Sequence, residues 1–172
     1  MRISVRVNGV PRTFEVRPDE RVRSLLRREN LLSMRNGCDG QGSCGACTIL
    51  LDGRPVNSCL LLAPQVDGHE IHTVEHMSRA RTLSAIQTAF LDAGAVQCGY
   101  CTPPFLLATE ALLKRHPRPT RAQVQDAFSS LLCRCTGYEQ MFAAVELAAE
   151  RLRDPAAAAA RGQEFRDDLR LV

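Results

Sequence analysis

The stretch Gly37–Cys47, reading GCDGQGSCGAC, constrains this chain more than any other. Cys38, Cys44 and Cys47 sit in a loop whose other residues are mostly small, with Gly37, Gly40, Gly42 and Gly45 among them. Glycine tolerates backbone angles that other residues avoid, so such a loop can wrap a compact object and turn its N–H groups inward. Cys59 follows one hairpin-length later and supplies a fourth sulfur. Four thiolates and a ring of backbone donors are what an iron–sulfur cluster requires. The thiolates hold the irons, and the donors hydrogen-bond sulfur and set the potential.

The spacing is C-x5-C-x2-C-x11-C. Plant-type [2Fe–2S] sites follow C-x4-C-x2-C with a distant fourth cysteine, so the first gap here is one residue longer. The remaining four of the eight cysteines form a second group, Cys98, Cys101, Cys133 and Cys135, and none is left over. An even count also suits disulfides. A chain of 172 residues with 45% hydrophobic content does not need such staples to fold, however. MRISVRVNGV alternates like a strand and lacks the apolar core of a secretion signal. No run reaches membrane-spanning length, and a net charge of +3 with scattered charges does not point to nucleic acid. The expectation is a cytoplasmic protein whose cysteines bind metal.

The periodicity divides the chain. Ile3, Val5 and Val7 share a strand face, Asn8-Gly9 marks a hairpin turn, and Phe14 and Val16 suit the returning strand. Asp19-Glu20 are expected to open a helix carrying Val22, Leu25 and Leu26. Thr48–Leu51, Pro55–Cys59 and Glu70–Val74 read as further strands. A small mixed sheet on one helix, with a metal loop at its edge, is a ferredoxin-like β-grasp arrangement. Beyond Met77–Arg81 the helical period takes over. One helix is expected from Thr82 through Leu83, Ile86, Gln87 and Phe90, and another from Pro103-Pro104 to before Pro117. A third spans 121–131 and a fourth 139–152. The fold expected is therefore α+β: a β-grasp domain over 1–77, an all-α four-helix domain over 78–153, and an extension over 154–172. That extension, with its alanine run, is read as disordered or lying on another subunit.

The second cysteine group falls at helix ends. Taken alone, its two clamps suit zinc as well as iron, since C-x2-C is the usual half of a four-cysteine zinc site. The C-x-C half, Cys133-Arg134-Cys135, is less usual for zinc. His69, His72, His76 and His116 share no ligand spacing and read as surface or structural. Tyr100 and Tyr138 read as packing residues, Glu139 and Glu146 as helix surface, and Arg134 as a surface contact or a counter-charge. No Ser/His/Asp set, carboxylate pair or phosphate loop suggests chemistry of the chain's own.

Context sharpens the second group. QCGYCTP at 97–103, CRCTGY at 133–138, and CGACT at 44–48 followed by Leu51-Asp52-Gly53 resemble the iron–sulfur subunit of the molybdenum hydroxylases. This is the xanthine oxidase family, which includes carbon monoxide dehydrogenase and bacterial aldehyde and N-heterocycle dehydrogenases. The resemblance runs from about residue 2 to 153, with both motifs in the family's order. It implies an electron-transfer subunit with two [2Fe–2S] clusters, inert towards substrate by itself. Electrons would leave a molybdopterin centre on a large subunit and reach FAD on a medium subunit, in a dimer of heterotrimers. By the same resemblance, Cys98, Cys101, Cys133 and Cys135 hold the molybdenum-proximal (inner) cluster. Cys38, Cys44, Cys47 and Cys59 hold the flavin-proximal (outer) one. Gln97 occupies the pterin-contacting position, and Cys135 is the ligand nearest the pterin. Two departures stand out: the five-residue gap between Cys38 and Cys44, and Pro103-Pro104 where the family commonly has Pro-Gly. Two rival readings are an interaction module with two four-cysteine zinc sites and a free ferredoxin-like carrier.

Overall fold

The computed structural model describes residues 1–78 and 82–154. Strands β1 (Arg2–Val7) and β2 (Val10–Glu15) form a hairpin closed by Asn8 and Gly9 at φ of 52° and 80°. Positive φ at both central residues is what a tight turn matching strand twist demands, and Asn-Gly supplies it at least cost. Helix α1 (Val22–Arg28) follows, then β3 (Thr48–Leu51), β4 (Arg54–Asn57) and β5 (Glu70–His72). The sheet order is β2-β1-β5-β3-β4, with β1 and β5 parallel and the other neighbours antiparallel. Four helices come next: α2 (Ala85–Asp92), α3 (Thr102–Arg115), α4 (Arg121–Phe128) and α5 (Glu139–Arg153). Among the described residues no helix is long and apolar enough to cross a membrane.

Two apolar cores form. Ile3, Val5, Phe14, Leu25, Leu26, Ile49 and Ile71 make the first; Phe90, Phe105, Leu107, Phe128, Met141 and Val145 make the second. β3 connects them, because consecutive residues of a strand point to opposite faces. Ile49 enters the core shared with α1, whereas Leu50 enters the helical core. A strand covered on both faces reads as an unbroken apolar run, and that is how ILL at 49–51 reads. The cysteine loop immediately before β3 is thereby pinned between the two cores.

Several element ends differ from the sequence expectation. α1 opens at Val22 with Arg21 as its cap, because Asp19 pairs with Arg17 and Glu20 with Arg28 at 2.9 Å. α2 starts after Ser84 rather than Thr82: the Ser84 hydroxyl accepts the Gln87 N–H while the Gln87 side chain accepts the Ser84 N–H. That reciprocal box satisfies two amides the helix leaves without partners, and Thr120 with Gln123 repeats it at α4. α4 ends at Phe128, so Leu131 lies beyond it. β4 stops before Cys59, and β5 gives way to a 3-10 turn over Val74–Met77. This turn ties the sheet to the helices, since His76 contacts Glu110 of α3 at 2.9 Å and Lys114 contacts the same carboxylate at 2.6 Å. Burial alone would raise the Glu110 pKa; the two cations outweigh it and hold it at about 2. The extension assigned to 154–172 lies, apart from Asp154, outside the described residues.

Candidate metal centres

The loop preceding β3 is shaped by left-handed backbone at Asp39, Gly40, Gly42 and Gly45. A turn closed by the Gln41 N–H on the Cys38 carbonyl (3.1 Å) lies within the five-residue first gap, and Cys38 faces Cys44. Cys47 faces Cys59. Side chains from β3 and β4 hold the loop by its carbonyls. The Thr48 hydroxyl donates to Gly45 O at 2.7 Å, Asn57 Nδ2 to Gly42 O at 2.9 Å, and the Ser58 hydroxyl to Cys47 O at 2.7 Å. Cys44, Cys47 and Cys59 are 9%, 3% and 4% exposed, so three of these four thiols are shut off from water.

The second set gathers where α3 begins and where the chain leaves α4. Cys98 and Cys135 bring their sulfurs to 3.6 Å, and Cys101 faces Cys133. The Thr136 hydroxyl lies 3.1 Å from Cys133 Sγ, and the Thr136 N–H donates to that sulfur at 3.4 Å. Tyr138 clamps the turn. Its hydroxyl accepts the Cys133 N–H (2.9 Å) and donates to Leu131 O (3.2 Å), while its ring packs edge-on against Phe105. Cys98, Cys135 and Gln97 are all exposed, on one edge of the site.

The thiols divide by acidity as well as by position. Facing Cys44, and aided by the donors of Ser43, Cys38 is pulled down to about 6. Burial, then Cys47, pushes Cys59 up to about 11; burial, then Cys133, pushes Cys101 up to about 12. The Tyr100 N–H and Cys135 lower Cys98, and Cys98 in turn raises Cys135. For Cys133 burial acts upward, but the hydroxyl and N–H of Thr136 outweigh it and the net shift is down. In Cys38–Cys44, Cys98–Cys135 and Cys101–Cys133 one thiol is readied to ionise against a neighbour. Such sites bind metal with release of protons.

The pairing also speaks to which metal group fits. A [2Fe–2S] cluster presents two irons with two terminal thiolates each, so it needs four cysteines in two pairs. A structural zinc needs four ligands around one point. Both cysteine sets are arranged as two facing pairs: Cys38–Cys44 with Cys47–Cys59, and Cys98–Cys135 with Cys101–Cys133. The donor sets therefore suit the diiron cluster. Away from them, His69 pairs with Asp52 at 2.6 Å, and His72 lies 3.6 Å from Glu70.

One contact joins the two sets. The Leu132 N–H donates to Cys44 O at 3.1 Å, and Leu132 is covalently next to Cys133. Gly45 permits the approach: a Cβ there would lie 2.4 Å from Leu131 Cδ2 and 2.6 Å from Ser130 O.

Comparison with known proteins matches the same two segments. Residues 5–78 match the 2Fe-2S iron-sulfur cluster binding domain family, and residues 73–146 the [2Fe-2S] binding domain family. The chain is 45% identical over 150 residues to the nicotinate dehydrogenase small FeS subunit of Eubacterium barkeri, covering 87% of this chain and 95% of the relative. It belongs to the iron–sulfur subunit family of the molybdenum hydroxylases. The xanthine dehydrogenase iron-sulfur-binding subunit of Escherichia coli O157:H7 is 42% identical over 141 residues, 81% of this chain and 88% of the relative. Among solved structures, quinoline 2-oxidoreductase from Pseudomonas putida 86 matches at a TM-score of 0.84 and 44% identity, covering 89% of this chain and 96% of that chain.

As an iron–sulfur subunit of this family, the chain is part of an oxidoreductase, and [2Fe–2S] clusters are its cofactors. The structure adds two contacts to the second cysteine set that a reading of the residues did not assign. Thr136 and Tyr138 follow the C-x-C clamp directly in sequence, yet their hydroxyls turn back onto Cys133. The TGY triplet was the available signal. The Leu132–Cys44 bond carries none, since a leucine amide looks like any other.

Proposed function

We propose that this chain relays electrons from a molybdopterin centre on a large partner subunit to FAD on a medium one. It does so through two [2Fe–2S] clusters, each of which takes up and gives back one electron. Cys98, Cys101, Cys133 and Cys135 hold the cluster nearer the molybdenum, and Cys38, Cys44, Cys47 and Cys59 the one nearer the flavin. The observation that carries this is the Leu132 N–H to Cys44 O bond, which places ligand segments of both sets one hydrogen bond apart. Gln97 meets the pterin at the exposed edge, where its amide offers both a donor and an acceptor, and Cys135 is the ligand nearest to it. Residues 1–77 form a β-grasp domain and 78–153 a four-helix domain, a division supported by the two separate cores. The assembly is a cytoplasmic dimer of heterotrimers. The nicotinate, xanthine and quinoline in the relatives' names make an N-heterocycle the substrate class to try first.

The test is iron, acid-labile sulfide and zinc content of anaerobically purified protein, with EPR after dithionite reduction. Four irons, four sulfides and two distinct rhombic signals are expected. Cys135→Ala should remove one signal and leave the other. Zinc without sulfide, or full iron in Cys135→Ala, overturns the assignment.

A further inference from the structure

A groove of about 710 Å³ opens where α1, the segment 32–36 and the Cys98–Cys101 turn meet, lined by Arg23, Arg27, Leu32, Arg35, Asn36 and Tyr100. Each arginine is held by a neutral group. Arg23 donates to Asn36 Oδ1, and Arg27 to the carbonyls of Leu32 (3.3 Å) and Met34 (3.0 Å). The Arg35 guanidinium lies 5.2 Å from the centre of the Tyr100 ring. Elsewhere Arg2, Arg6, Arg12, Arg17, Arg28, Arg121 and Arg151 each face a carboxylate, while Arg21 and Arg115 donate singly to backbone carbonyls and do not cluster in a groove. In the groove no carboxylate lines the wall, and among the described residues none of the three arginines has an ion-pair partner. Three positive charges are thus positioned and left uncompensated. Beside them Leu32 is 56% and Tyr100 41% exposed. Arginine and tyrosine around an exposed apolar side chain is the composition of a protein interface centre. The open shape suits a chain segment better than an enclosed small anion.

We propose that this groove docks an acidic segment of a partner subunit, two or more Asp or Glu carboxylates received by the guanidinium forks. The proposal rests on the reading that the chain works in a complex. It adds a point of electrostatic registration beside both cysteine sets: Arg35 lies three residues before Cys38, and Tyr100 stands between Cys98 and Cys101. Planar forks match carboxylates in pairs, so the contact sets orientation as well as encounter rate.

The experiment measures binding of this chain to its isolated partner subunits across a salt series, for the wild type, Arg23→Glu/Arg35→Glu and Arg23→Lys/Arg35→Lys. Absorption and EPR first establish that each variant carries its clusters. The doubly reversed variant should bind at least about tenfold more weakly at low salt, with a flattened salt dependence, and the lysine variant within about threefold of wild type. Unchanged binding by the reversed variant overturns the groove proposal alone. So does a shift in cluster potential with assembly intact, which assigns the arginines to cluster charge. Tight binding of inorganic pyrophosphate with assembly untouched makes it a small-anion site instead. Failure of the wild-type chain to assemble at all overturns the complex reading, and the groove proposal with it.

Discussion

The two cysteine sets solve one ligand problem in opposite ways. The set at 38–59 is largely closed: a glycine loop, strands β3 and β4 and the 130–132 segment surround it, and three thiols lie away from water. The set at 98–135 is built from helix ends and keeps Cys98 and Cys135 exposed. Burial and hydrogen bonding to sulfur are the protein's levers on a cluster's potential. The first site fixes both from within, whereas the second leaves part of its environment to whatever covers its open edge.

The comparison is most easily broken at the contact between the sites. Gly45→Ala places a Cβ against Leu131 and Ser130 O on backbone at φ +68°, and should cost about 2 to 6 kcal/mol. Gly40→Ala, at φ +82° with nothing within 4 Å, should cost only about 1 to 2 kcal/mol of backbone strain. Denaturant melts of the cluster-loaded proteins measure both, and equal losses would show that the Gly45 contact contributes nothing. A smaller effect belongs to the clamp. Tyr138→Phe leaves the Cys133 N–H and Leu131 O without their partner and should cost about 1 to 3 kcal/mol. EPR should show a change in the signal of the 98–135 set alone, and a change in both would refute the separation of the sites.

The least perturbing test needs no substitution. In the metal-free folded chain, the lowered pKa means that Cys38 remains a thiolate as pH falls to about 6, so iodoacetamide should label it at neutral pH. Cys101, raised to about 12, should stay unlabelled until the chain unfolds. Peptide mass mapping against pH reads both. A Cys38 labelling midpoint near 9 would mean that its pairing with Cys44 does not hold in solution.

Much of this was legible in the residues. Cysteine spacing, the glycines around it and the switch from alternating to helical period located both metal segments and most elements. The misplacements have local causes. Asp19 and Glu20 look like a helix start, but arginines elsewhere claim their carboxylates. Thr82 and Ser84 are both reasonable caps, and Gln87 decides for Ser84 because it stands three residues beyond it. Tyr138 does pack against Phe105, as its sequence context suggests, but nothing in the sequence shows an N-cap at φ 73° with its hydroxyl turned back to Cys133.

By itself the sequence determined the cysteine inventory, the family and the order of strands before helices. Thiols in short clamps and glycines at left-handed positions are local requirements, and local requirements are written in adjacent residues. The tertiary structure alone decided that Cys44 and Leu132 meet, that β3 serves two cores, that one site is closed and the other open, and that Arg35 reaches Tyr100. Those facts join residues far apart in the chain through backbone groups and shapes that every amino acid shares, so no residue type announces them.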